Sequence, residues 1–289
     1  MMYQFDYLID NNYESILQYV NQFTLGNEKI KQIKKVNHLQ INGIYKDINA
    51  PLTKGDKLTI FLDEEERIKP FKAFLDIVYE DSNLLIINKR AGLAVHTDGA
   101  KYQDNTLANM VRYYYDKKNL NIPVWYLHRL DFDTTGLIIF VKDPLSMAKL
   151  SASLANHEIK RDYLALVSGV YKEDELIDKP IGRDRHVNGK YRVSETGKVA
   201  KTSVRVLKVF KRYTLVRLSL MTGRTHQIRV HMAYRGHPLL GDTLYGGSTT
   251  FIKRHALHSA YLTLNHPLTN KEITLYSDLA QDMKKLIKK

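Results

Sequence analysis

Apolar residues recur at helical spacing from Tyr13 to Phe23, where Ile16, Leu17, Val20 and Phe23 form one stripe. Lys29 to Val36 repeats the pattern, with Ile30, Ile33 and Val36 inward and Lys29, Lys31, Lys34 and Lys35 outward. The period then shortens. Leu39-Gln40-Ile41 alternates as a strand and Asn42-Gly43 supplies a two-residue hairpin turn. Lys54-Gly55-Asp56 supplies a second turn before the strand Leu58 to Leu62. The acidic run Asp63 to Glu66, closing at Pro70, reads as a linker. The pattern predicts a small module over residues 1–65 and a larger domain over 66–289.

From Ile77 onward short apolar runs dominate: Leu84 to Ile87, Leu137 to Val141, Tyr163 to Val167, Ser203 to Val209 and Thr214 to Leu220. Helical stretches lie between them at Asn105 to Asp116 and Pro144 to Asn156. After Ile228, Arg229-Val230-His231 reads as strand-like alternation. Irregular mixing of this kind predicts an α+β fold on a mixed, largely antiparallel sheet. No 20–50-residue repeat is present.

Composition adds a partner class. The 289 residues are 44% hydrophobic and 26% charged, enough to bury a sizeable core, but the net charge is +13. Such an excess favours a polyanion, nucleic acid first, over the blander reading of a lysine-rich solvated surface. It is unevenly spread: nine Lys/Arg against ten Asp/Glu through Pro70, and 35 against 21 beyond it. The main anion-binding surface is therefore expected in the larger domain. With no cysteine, disulfides, thiolate metal sites and a cysteine nucleophile are excluded. The opening MMYQFDYLID is not a secretory signal, and no apolar run approaches the ~18 residues of a membrane span. The expectation is a cytoplasmic monomer with no membrane partner. GxxxxGK[ST] and GxGxxG loops are absent, so nucleotide cradling has no support.

Two clusters carry candidate chemistry. In the first, His128, Arg129, Asp131 and Asp133 precede Thr-Thr-Gly and a wholly apolar strand. A carboxylate at the mouth of a buried strand is partly desolvated and can serve as nucleophile or base; equally, either aspartate could only cap a turn. The residues alone leave both readings open for Asp131 and favour the turn for Asp133. The second cluster is LSLMTGRTHQIRVHMAYRGHPLLGDTLYGG, where Arg224 on a glycine turn presents a planar fork to a carboxylate or phosphate. A metal on His226, His231 and His237 is disfavoured because their spacing fits no usual ligand set.

HRLDFDTTG resembles the HRLDxxT[ST]G signature of the RluA/RluD family of pseudouridine synthases. IVYEDSNLLIINKRAGLAVH from Ile77, KRDYLALVSG from Lys160, the arginine cluster and Ala256-Leu257-His258-Ser259 with His266-Pro267 are similar to further family segments, in order, over residues 75–277. The resemblance implies the pseudouridine synthase fold with a central RNA-binding cleft. Residues 27–62 look like an alpha-L RNA-binding module, with Lys31, Lys34 and Lys35 as RNA contacts. By the resemblance Asp131 is the essential carboxylate, Arg224 its ionising partner and Tyr163 a stacking face for uracil that assists proton removal. Arg129 fills the gap left by the flipped uridine, Ile228 joins the apolar wall, and His128 contacts RNA. The reaction breaks N1–C1′, turns the uracil and joins C5 to C1′, so no metal or cofactor is expected. Arg90 in place of the usual proline, and Thr97-Asp98, depart from the family pattern.

The implied substrate is structured RNA, large-subunit ribosomal RNA first and transfer RNA second. Two other readings stand beside it: a non-catalytic RNA-binding assembly factor on the same fold, and a glycosidase using paired carboxylates.

Overall fold

The computed structural model describes residues 1–97 and 104–288; Asp98 lies outside them. The N-terminal unit contains β1 (Met2–Leu8), α1 (Ile16–Asn21), α2 (Asn27–Ile33), β2 (Leu39–Ile41), β3 (Ile44–Tyr45) and β4 (Lys57–Asp63). Its strands form a four-stranded antiparallel sheet in the order β1-β4-β2-β3. Asn42 and Gly43 both take positive φ, as the predicted hairpin turn requires. Both helices are shorter than their apolar stripes suggest, and Ser15 caps α1 by accepting from the Gln18 amide.

β1 escaped the pattern reading. Tyr3, Phe5 and Tyr7 alternate inward, yet Met2 and Leu8 on the solvent face blur the apolar–polar contrast that reveals a strand. The unit's core reaches across to Leu145, and the Tyr7 hydroxyl donates to buried Asp143 at 2.9 Å. The acidic linker is tied down as well: a Glu66 carboxylate oxygen accepts from the Val124 amide at 3.0 Å.

The larger part is built from β5 (Ile77–Glu80), β6 (Leu84–Lys89), α3 (Leu107–Lys117), β7 (Trp125–Tyr126), β8 (Thr135–Val141), α4 (Pro144–Ala155) and β9 (Lys160–Ser168). It continues through β10 (Glu175–Asp178), β11 (Ile181–Arg183), β12 (Tyr191–Val193), β13 (Lys201–Val209), β14 (Tyr213–Leu220) and α5 (Gln227–Tyr234). β15 (Leu257–Asn265), β16 (Glu272–Tyr276) and α6 (Gln281–Ile287) complete it. A ten-stranded sheet runs β10-β13-β14-β9-β15-β8-β6-β5, with β16 on β15 and β7 on β8. Every pairing is antiparallel except β8 with β15. The expected mixed, largely antiparallel sheet is what forms.

β6 and β8 read as unbroken apolar runs because both their faces are covered. Ile138 and Phe140 join one core and Leu137, Ile139 and Val141 the other. Full burial of each such side chain is favourable by roughly 1.5–3 kcal/mol. The parallel junction between β8 and β15 is the sheet's central seam. It depends on Gly136, at φ +107°, where a Cβ would collide with the Ser259 backbone. α5, by contrast, is a helix where the sequence reads as alternation. Gln227 through Met232 are all buried, so no polar face marks the helical period.

Gly136→Ala should therefore lose at least about 3 kcal/mol of unfolding free energy, combining positive-φ strain with a backbone clash. Urea denaturation checks this; a loss below 1 kcal/mol would mean that the seam can open at little cost.

Candidate active site

The signature loop runs from β7 into β8, and almost every backbone carbonyl of its turn has a partner. The Asp131 carbonyl accepts from the Thr134 amide at 3.1 Å, closing the turn. The Phe132 carbonyl accepts from Leu93 N–H at 3.1 Å and Lys89 Nζ at 3.0 Å, and the Asp133 carbonyl from Arg254 Nη1 at 3.0 Å. Thr134 and Thr135 bond to His255 and His258, each at 2.8 Å. The Thr-Thr-Gly that follows the aspartates is thus a fastening to the β15 segment, and it leaves the Asp131 side chain facing an open cleft.

That cleft holds about 820 Å³ and is walled by the signature loop, by Arg161 and Tyr163 of β9, by α4 and by the turn from β14 into α5. His128, Arg129, Asp131, Tyr163, Arg224 and Ile228 all line it. Lys31, Lys34 and Lys35 do not. They lie on or just after α2 in the N-terminal unit, where Lys31 pairs with Glu28 at 3.1 Å and Lys35 with Asp63 at 3.2 Å.

The expected Asp131–Arg224 pair is not formed. Asp131 Oδ2 accepts from Arg229 Nη1 at 2.9 Å, while Arg224 is exposed and its Nε donates to the Val199 carbonyl at 2.8 Å. Helix geometry explains the exchange. Gln227 accepts from the Thr222 hydroxyl and the Arg224 amide, locking the glycine turn outward, and α5 then aims Arg229 at the cleft floor. Arg229 also grips Asp242 through Nε and Nη2, each at 2.8 Å. Asp242 is 2% exposed. One guanidinium therefore bridges a buried carboxylate and one open to the cleft.

Burial alone would raise the Asp131 pKa, but the neighbouring His226, Arg229 and His255 outweigh it and hold the carboxyl below its ordinary value. Both histidines are depressed by their own burial, His255 to about 4, so at neutral pH the permanent positive charge is Arg229. Burial also raises the Tyr163 phenol, which stays protonated at neutral pH. It lowers His128 to about 3, with Arg161 adding to the effect, so that ring carries no charge. Neither nitrogen of His128 meets a hydrogen-bond partner among the described residues.

Besides Arg229, Lys89 and Asp242 hold the site together without any role legible in the sequence. Lys89 is 1% exposed, donates to the Arg90, Leu93 and Phe132 carbonyls, and is pushed by burial to about 7. Only its place in an Asn-Lys pair at the end of an apolar strand points to it in the sequence. The three cluster histidines have separate partners: Tyr245 for His226, Thr202 and Lys179 for His231, Ser168 for His237. Among the described residues no three metal-ligating side chains gather.

The family profile described as RNA pseudouridylate synthase matches residues 83–234, which spans the signature loop, Tyr163 and Arg229. The chain belongs to the RluA/RluD family of RNA pseudouridine synthases. It is 42% identical over 259 residues to the uncharacterized RNA pseudouridine synthase YhcT of Bacillus subtilis, covering 87% of this chain and 83% of that one. It is 40% identical over 241 residues to ribosomal large subunit pseudouridine synthase D of Escherichia coli, covering 78% and 73%. Human RNA Pseudouridylate Synthase Domain Containing 1 superposes with a TM-score of 0.60 at 24% identity, over 78% of this chain and 96% of that one, and so shares its fold.

Two outcomes follow from the ion triad. Arg229→Ala should cost about 3–5 kcal/mol because Asp242 is left buried and unpaired, whereas Arg224→Ala should stay within about 0.5 kcal/mol; chemical denaturation separates them. Carbon-13 NMR of the Asp131 carboxyl should show a midpoint below the ordinary ~3.9. A folded pKa below the unfolded one means that the unfolded chain takes up the proton first. Asp131's stabilising contribution is then complete above about pH 4 and declines as pH falls through the folded value.

Proposed function

We propose that this enzyme converts uridine to pseudouridine in large-subunit ribosomal RNA, with Asp131 as the carboxylate that acts at the ribose. The observation that carries this reading is a single ionised carboxylate, held by Arg229, at the floor of a cleft open to a large ligand. Exposed Arg129 and Arg224 at that cleft supply cations for the RNA backbone, and Ile228 with Leu130 supplies apolar wall. A flipped uridine entering there costs a few kcal/mol of stacking, which Arg129 offsets by filling the vacated place. Tyr163 presents its ring to the uracil, and its protonated phenol makes it a stacking and hydrogen-bonding group rather than a standing base.

The reaction is an isomerisation. The N1–C1′ bond breaks, C5 joins C1′, the hydrogen leaves C5 and N1 gains one, so no oxidant or external group is consumed. Residues 1–65 act as a small RNA-binding module beside a catalytic domain over 66–289, with Lys34 exposed on its surface. The ribosomal target is supported by the relatives named for the large subunit. No helix of the described residues is long and apolar enough to cross a membrane, and a cytoplasmic monomer acting on RNA is the simplest form consistent with that target.

Mapping pseudouridines in total RNA from cells with and without the protein tests the reading. One or a few uridines of large-subunit ribosomal RNA should lose modification, and Asp131→Asn should fail to restore it, with turnover down about 10³-fold or more. Loss confined to transfer RNA would move the substrate assignment, and unchanged modification everywhere would refute it. The logarithm of RNA affinity should also fall linearly with log salt, by a slope that drops about one for each phosphate-contacting arginine removed.

A further inference from the structure

His226 begins α5 with its backbone in the left-handed region at φ +56°, a conformation that a non-glycine residue keeps only when its surroundings enforce it. Its ring is fixed by two tyrosines. Tyr191 and Tyr245 meet it edge-on at 5.7 and 5.8 Å, and the Tyr245 hydroxyl lies 3.0 Å from Nδ1. The same hydroxyl oxygen accepts the Tyr191 amide at 3.0 Å. Its one proton then best serves Nδ1, an arrangement in which Nδ1 accepts and the proton of a neutral imidazole sits on Nε2. Burial favours that neutral form, with Arg229 and Arg129 opposing the pull of Asp131 and Asp242.

The Nε2 donor is 3.7 Å from Asp131 Oδ2, beyond hydrogen-bond length, and both side chains face the cleft. A donor and a carboxylate at that spacing can address adjacent atoms of one sugar. If Asp131 acts at the ribose, two acceptors lie next to its reacting centre, the ring oxygen and the 2′-oxygen. The ring oxygen loses electron density as the glycosidic bond breaks, which disfavours a donor there. The 2′-oxygen keeps its lone pairs.

We propose that His226 contacts the substrate, its Nε2–H donating to the 2′-oxygen of the target ribose, and that Tyr245 and Tyr191 are positioning residues that set its tautomer. The inference rests on the function proposed above. It makes His226 a discriminator of RNA from DNA, since the 2′-hydroxyl is the group that separates them at a given site.

The test uses a stem–loop carrying the mapped uridine and a second stem–loop with 2′-deoxyuridine at that one position. Single-turnover rates are measured for the wild type, His226→Ala, Tyr245→Phe and their double variant. On the ribose substrate His226→Ala should be slower by about tenfold, the usual weight of one hydrogen bond, and Tyr245→Phe by about threefold. On the deoxy substrate the His226→Ala penalty should fall below about twofold, because its partner is gone. The double variant should be no slower than His226→Ala alone. Affinities of both RNAs for Asp131→Asn protein, with and without His226→Ala, give the same comparison free of turnover. His226→Gln, which keeps a donor, should recover part of the loss and guards against a folding defect. Equal penalties on the two RNAs, or a ribose rate untouched by His226→Ala, would overturn the proposal. If the wild type modifies the stem–loop and Asp131→Asn does not, either outcome rejects this inference alone. If Asp131→Asn matches the wild type, the function itself is misread.

Discussion

Asp131 stays ionised in a half-enclosed cleft because Arg229 cannot leave it. The guanidinium is held from behind by Asp242 through two parallel bonds, so its third contact is aimed before any substrate arrives. A lysine in its place would offer a point charge with no fixed direction, and an arginine without Asp242 would follow its own rotamers. The whole assembly carries one net negative charge beside neutral histidines. A carboxylate held in this way pays no reorganisation when it reacts, which is the general advantage of a preorganised site.

The fold serves that arrangement by anchoring the Asp131 loop to one seam and bringing Arg229 to it from a separate helix. β8 carries the Asp131 loop and meets β15 through Gly136 in the sheet's single observed parallel pairing, where two threonines bond to two histidines. Lys89 props the loop from beneath through the Phe132 carbonyl, and Arg254 does the same through Asp133. α5 brings Arg229 from the other side, its entry fixed by Gln227 between the glycine turn and β13. Chain segments far apart in sequence thus converge within hydrogen-bond range. Backbone carbonyls, small polar side chains and the buried ionisable groups Lys89, Arg254 and Asp242 hold the geometry, and Asp131 is left facing the cleft.

Strands whose two faces are both buried were plain in the sequence, because apolar runs such as Leu84 to Ile87 and Leu137 to Val141 admit few other readings. The Asn42-Gly43 hairpin was equally plain. β1 was hidden by apolar residues on its exposed face, and α5 by burial all round its axis, since both conditions erase the contrast on which periodicity depends. The site was half legible. Asp131 and Tyr163 were located by their motifs and line the same cleft, but the choice between Arg224 and Arg229 turns on which way a helix faces. A glycine turn made Arg224 look presented, and the turn instead points it at Val199. Asp242 could not be seen, because its partner is set by tertiary structure alone.

Arg229 holds Asp131 in its ionised form, the form in which the proposed chemistry needs it. The most direct measurement is the single-turnover rate of pseudouridine formation from pH 4 to 8, compared between the wild type and Arg229→Gln. The wild-type rate should show no acid limb above about pH 4.5, and the variant's rate should rise with pH inside the window as an Asp131 left with only His226 and His255 beside it ionises. A variant that is merely slower, with the wild-type profile intact, would contradict it.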